Sequence, residues 1–204
     1  ERLRGENPVE TIVRPRGRGA VECTVLAFDA RGAFSLIAGV LTGLGLDIQS
    51  GDVFTGKPAE PPRGRRGRRP SEAELRRRRR KLIDVFTGTR PDDVDPADWE
   101  TALRERLRRV FLLVEAGGAD DILAARRLVN EWVTERLAIL QEQEHPVLYP
   151  VELDIQPLND RIIRLNVISQ DTPAFLYALS SSLALQELSI EAVRIRTLEG
   201  RIED

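Results

Sequence analysis

Cysteine and histidine are almost missing from this 204-residue chain, which holds one of each, Cys23 and His145. A single cysteine excludes an internal disulfide framework and any cysteine-based metal cluster. A single histidine excludes histidine-rich metal sites and argues against a Ser-His-Asp hydrolase. No stretch approaches the ~18 consecutive apolar residues of a membrane span, and none has the apolar core of a signal peptide. The expected setting is therefore cytoplasmic, with no membrane, cofactor or metal. Methionine is absent altogether, so the chain is expected to be a piece of a larger protein.

Lysine is scarce too: only Lys57 and Lys81 among 31 basic residues. What is present is arginine, and it is concentrated. Residues 57–81 carry twelve basic side chains against Glu60, Glu72 and Glu74, so this segment is +9 in a chain of net charge −2. Its prolines and glycines cannot build a core, and a mobile loop is expected over 56–80. The run admits a solvated insertion, a nucleic-acid contact or an acidic protein partner. Clustered arginines attract phosphate. Yet no aromatic residue lies between Lys57 and Lys81 to stack on bases, and the rest of the chain compensates the charge, which argues against nucleic acid.

Around this segment the periodicity is regular. Residues 1–19 read as a linker, from their polar character and their prolines and glycines. Val21, Cys23, Val25 and Ala27 alternate with polar residues as a half-buried strand does. Phe34, Ile37, Val40, Leu41 and Leu44 follow at helical spacing, and a strand returns over 46–55. Lys81 to Thr87 is a further strand, whose Asp84-Val-Phe-Thr-Gly88 repeats Asp52-Val-Phe-Thr-Gly56; two paired neighbours are expected. Asp95-Pro96 starts a helix with Trp99, Leu103, Leu107, Val110 and Val114 on one face. An extra helix spans 120–143, with a strand over 148–155 after it. Cys23 falls on the apolar phase and reads as a buried hydrophobe, His145 as a helix C-cap, and Trp99 and Trp132 as apolar anchors. Glu131, Glu135, Glu142 and Glu144 read as a solvated face.

The end of the chain repeats its beginning. At an offset of 142, Asp29 to Thr55 lies over Asp171 to Thr197 with five identities and a matching apolar pattern. Two copies of one module follow: 20–157, and 158–204 incomplete at its C-terminus. The first copy gives an α+β, ferredoxin-like βαββαβ order.

With Phe28-Asp-Ala-Arg-Gly-Ala-Phe34 leading to Leu44-Gly-Leu-Asp-Ile48, this module resembles the ACT domain. The tandem is similar to the regulatory C-terminal pair of PII uridylyltransferases, or of ACT-bearing glutamine synthetase adenylyltransferases. That resemblance implies a non-catalytic region sensing an amino acid, glutamine by analogy, for a nucleotidyltransferase of nitrogen metabolism. It also implies pairing with another module, in the same chain or a second subunit. The implied ligand residues are Asp29, Arg31, Gly32, Ala33 and Phe34 at the turn, closed by Leu46, Ile48 and Gln49. Asp171, Ala174, Phe175 and Ile190 are their weaker second-copy equivalents.

The chemistry of the turn suits that role. A helix opening at Ala33 points free N–H groups and its positive end at a carboxylate, Gly32 allows close approach, and Asp29 offers a partner for an ammonium. The competing readings are that Asp29 only caps the helix and Gly32 only permits the turn, in a module that assembles subunits without a ligand.

Overall fold

The computed structural model describes residues 3, 7–17, 19–56, 79–140, 151–170, 172–198 and 201–203. The arginine-rich residues 57–78, Glu142, Glu144, His145 and Asp171 lie outside the described residues. The chain runs β1 (Val9–Gly17), β2 (Ala20–Phe28), α1 (Ala33–Gly43), β3 (Asp47–Thr55), β4 (Lys81–Thr89), α2 (Pro96–Ala116) and α3 (Ala119–Leu140). It continues through β5 (Glu152–Asn159), β6 (Ile162–Gln170), α4 (Phe175–Leu185), β7 (Ala192–Leu198) and β8 (Arg201–Glu203).

All eight strands join one antiparallel sheet in the order β1-β2-β4-β3-β7-β8-β6-β5. The order is mirrored about the β3–β7 pair: β1, β2, β4 and β3 on one side correspond to β5, β6, β8 and β7 on the other. Both α1 and α4 span eleven residues, and both follow a residue in the left-handed conformation, Gly32 at φ 74° and Ala174 at φ 65°. The fold is thus mixed α+β, with an antiparallel sheet and four helices among the described residues, and its strand order is compatible with a ferredoxin-like plan.

Two expected boundaries are corrected. Residues 9–17 are a strand and not a linker: β1 pairs with β2 from Val9↔Ala27 to Gly17↔Ala20. Gly17 and Gly19, at φ 92° and 80°, close the hairpin, and Pro15 is tolerated because an edge strand can do without one N–H. The strand expected over 148–155 as the end of the first module lies instead over 152–159 and pairs with β6 at the far edge of the sheet. The Asn159 side chain accepts from the N–H groups of Arg161 and Ile162, at 2.9 and 3.0 Å. That Asx turn folds β5 back on β6. Each half therefore begins with a hairpin, and β1 occupies the edge that a closing strand would have filled.

The two strands that carry the repeated Asp-Val-Phe-Thr-Gly segment pair as neighbours, as expected, from Asp52↔Val85 to Thr55↔Leu82, and the repeats themselves overlap at Asp52↔Val85 and Val53↔Asp84. Above the sheet, α1 is apolar all round and buried from Ala33 to Leu41, as suits a helix covered on every side. Its last carbonyls would be orphaned in the interior. Arg106 of α2 donates to Gly43 O at 3.1 Å, and the Trp99 indole donates to Leu44 O at 3.0 Å.

Helix α2 is capped as its sequence predicts, with Asp95 accepting from Ala97 N and Asp98 N and left-handed Gly117 at its end. On α3 the buried stripe is Ala125, Val129 and Val133. Trp132, on the neighbouring phase, is half-buried with the Arg106 guanidinium 4.7 Å above its ring. Cys23 is buried, and burial pushes its thiol up to about 12, so it packs and does not react. No described helix is long and apolar enough to cross a membrane.

Candidate functional site: the pocket at the Gly32 turn

The chain leaves β2 at Phe28, turns through Asp29-Ala-Arg-Gly32 and enters α1. The left-handed φ of Gly32 makes the corner, and Ala33 N–H bonds Ala30 O at 2.9 Å. Gly32 offers no capping side chain, so the first-turn N–H groups at Phe34 and Ser35 have no helical acceptor. Beside them opens a pocket of about 200 Å³. Asp29, Arg31, Gly32, Ala33 and Phe34 all line it, which brings together the five residues expected at the turn.

Leu46, Ile48 and Gln49 are not among its lining. Leu46 is buried under the end of α1, Ile48 packs against the core, and Gln49 donates to the Thr89 hydroxyl at 3.1 Å. Their place is taken from the other half of the sheet, by Leu188, Ser189, Ile190 and Glu191. Register explains the exchange. Antiparallel pairing of β3 with β7, ending at Phe54↔Ala192, sets the approach to β7 beside the end of β3. Ile190, expected to serve the second turn, thus lines the pocket of the first. Ala174 and Phe175 pack against the core.

Three charged residues meet at the pocket mouth. Arg80 donates to Glu191, with Nη1 3.1 Å from Oε1, and its Nε lies 3.4 Å from Asp29 Oδ2. Burial pushes the Asp29 carboxyl above its usual range; Arg80 pulls it back down, and the Glu191 charge raises it again. At the rim, Arg31 pairs with Glu187 at 3.1 Å.

The inner wall holds a residue that the sequence reading passed over. Asp84 is fully buried, and neither carboxylate oxygen has a hydrogen-bond partner among the described residues. Its ladder neighbours are Val25 on β2 and Val53 on β3. Burial, reinforced by the Asp29 charge, raises its carboxyl to about 7. A sequence signal existed: in Leu82-Ile-Asp84-Val-Phe86 the aspartate falls on the apolar phase of the strand. The repeated Asp-Val-Phe-Thr-Gly segment hid it, because Asp52 in the same letters faces outward.

Fold and pocket together define a mixed α+β module with a small polar cavity at a helix N-terminus, walled by both halves of one sheet. The amino-acid sequence is similar to the bifunctional uridylyltransferase/uridylyl-removing enzyme of Caulobacter vibrioides, 27% identical over 193 residues in two strains. The match covers 95% of this chain and 17% of that enzyme, so the chain spans about a sixth of its relatives' length. No family model matches the chain, and no solved structure matches it.

Proposed function

We propose that this chain is a regulatory, amino-acid-sensing region of a nucleotidyltransferase of the uridylyltransferase type, built of two ACT-like modules whose shared pocket takes a free amino acid. The observation that carries the reading is the pairing of opposite electrostatic needs in about 200 Å³. Uncapped N–H groups at the start of α1 favour a carboxylate, and the buried Asp84 carboxyl and half-buried Asp29 in the same lining favour an ammonium. A zwitterion answers both. The similarity to a uridylyltransferase/uridylyl-removing enzyme supports the parent class, and glutamine is the effector that the ACT resemblance implies.

Calorimetry of the chain against the twenty amino acids tests the reading. Saturable binding of glutamine or another neutral amino acid, weakened by a bulky substitution such as Ala184→Phe in the pocket wall, is the expected result. If none binds below the millimolar range, the module assembles subunits and senses nothing.

A further inference from the structure

We propose that Asp84, and not Asp29, receives the ammonium nitrogen of the zwitterion bound at the Gly32 turn; this rests on the ligand-binding reading above.

Asp29 is the obvious candidate by position, yet it is already engaged. Its carboxylate faces Arg80, and its own N–H bonds Arg80 O at 2.9 Å. Asp84 lines the same pocket with both oxygens closed to solvent and unpartnered among the described residues. Buried polar groups nearly always find partners, and an exception in a pocket wall marks a place where a ligand supplies one.

Among the described residues no protein cation pairs with it. The charged groups around the pocket mouth are Asp29 from the end of β2, Arg80 from the approach to β4 and Glu191 from the approach to β7; Arg126 of α3 comes within 3.8 Å of where a Cβ on Gly32 would sit but does not line the pocket. Arg80 is divided between the other two acids, Arg31 at the rim is held by Glu187, and α1 carries no charged side chain. A nitrogen donor admitted through the lining to the Asp84 oxygens meets an acceptor with every lone pair free.

The consequence is a proton balance. Unliganded, the Asp84 carboxyl titrates at about 7 because it is buried. An ammonium beside it stabilises the carboxylate, so below that pH the carboxyl proton leaves to solvent as the ion pair forms. Affinity then rises about tenfold per pH unit up to neutrality and levels off above it.

The test is calorimetry of the intact chain at pH 6, 7 and 8, in two buffers of different ionisation enthalpy. The ligands are the twenty amino acids and two carboxylate-free amines, methylamine and putrescine. The expected result is an amino acid that releases close to one proton on binding at pH 6. It should bind roughly tenfold or more weaker to Asp84→Asn, the loss of one charge-assisted bond, and lose clearly less with Asp29→Asn. Proton release is read on the unsubstituted chain, so the result survives a variant that fails to fold. An amino acid that binds without releasing a proton, and equally well to Asp84→Asn, overturns this assignment and leaves the sensing reading standing. Amines that bind through Asp84 where amino acids do not would uphold the assignment and overturn the zwitterion. If neither class binds, both fall.

Discussion

Val53 and Asp84 stand directly opposite each other across the β3–β4 ladder, both pointing at the helix layer. An apolar side chain there is ordinary. A carboxyl there sits between Val53 on one side and Val25 on the other, with nothing in the sheet to solvate its charge. The strand keeps it all the same, in the one stretch of β4 that also walls the pocket.

The first prediction is a pH dependence of stability. The Asp84 carboxyl is raised from 3.8 in the unfolded chain to about 7 in the fold. Between those values the unfolded chain gives up its proton while the folded one keeps it, so stability falls as pH rises from about 4 to 7 and is level above. The loss from this group runs at about 1.4 kcal/mol per unit of pKa difference. Asp84→Asn removes it. Urea titrations of both proteins should diverge steadily between pH 4 and 7, with the asparagine variant the more stable at pH 8. Parallel curves would show that the carboxyl is solvated.

Much of the framework was legible because local rules wrote it. Asp95-Pro96 and Gly117 delimit α2 by capping alone, and the alternation of Val21 to Ala27 fixes which face of β2 is buried. Residues 9–17 were misread because Pro15 and the glycines that close a hairpin have the composition of a linker. The site was legible at one end only. The turn is a local motif, so Asp29 to Phe34 could be found. Ile190 and Glu191 reach it through β3–β7 pairing across some 140 residues of sequence, which no local pattern encodes. Asp84 needed strand phase, and its identical twin Asp52 masked that phase.

Helix packing gives the second prediction. A Cβ at Gly39 would lie 2.3 Å from Val129 Cγ1 and 2.7 Å from the Tyr177 ring. One turn on, at Gly43, it would lie 2.9 Å from Trp132 Cβ. The absence of a side chain at these two positions lets α3 and α4 approach α1. Gly39→Ala gains helix propensity of about 1 kcal/mol but forces two helices outward, which costs about 1–3 kcal/mol or more for overpacking. The clash at both neighbours decides the sign. Thermal melts should show a clear net loss for Gly39→Ala, and an unchanged Tm would mean that the helices are not this close.

Removal of the arginine-rich segment is the third. Gly56 N–H bonds Lys81 O at 2.7 Å, and the β3–β4 ladder runs on from Thr55↔Leu82, so these bonds close the base of the hairpin. Shortening a loop changes closure entropy by on the order of 1 kcal/mol. Deleting residues 60–78 should therefore leave Tm nearly where it was. A drop of many degrees would assign these arginines a structural role.

The last prediction uses the two turns as mutual controls. Gly32 and Ala174 precede helices of equal length and share one left-handed conformation. Glycine holds it freely, whereas alanine crowds its Cβ against the backbone at a cost of roughly 1–2 kcal/mol. Space is not the obstacle at the first turn, since a Cβ on Gly32 would meet the Ala184 Cβ at 3.4 Å and the Ser35 hydroxyl at 3.5 Å, both ordinary contacts. The penalty for Gly32→Ala is thus conformational, offset in part by about 0.4–1 kcal/mol from a stiffer unfolded chain. The reverse change, Ala174→Gly, releases the same strain, gives up the same entropy and loses the packing of one half-buried methyl group, so its gain is the smaller. Urea unfolding should find Gly32→Ala less stable by about 1 kcal/mol and Ala174→Gly more stable by a smaller amount, two shifts of opposite sign from one geometry. Equal signs would mean that the turns do not share a conformation, and the mirrored reading of the two halves would lose its local support.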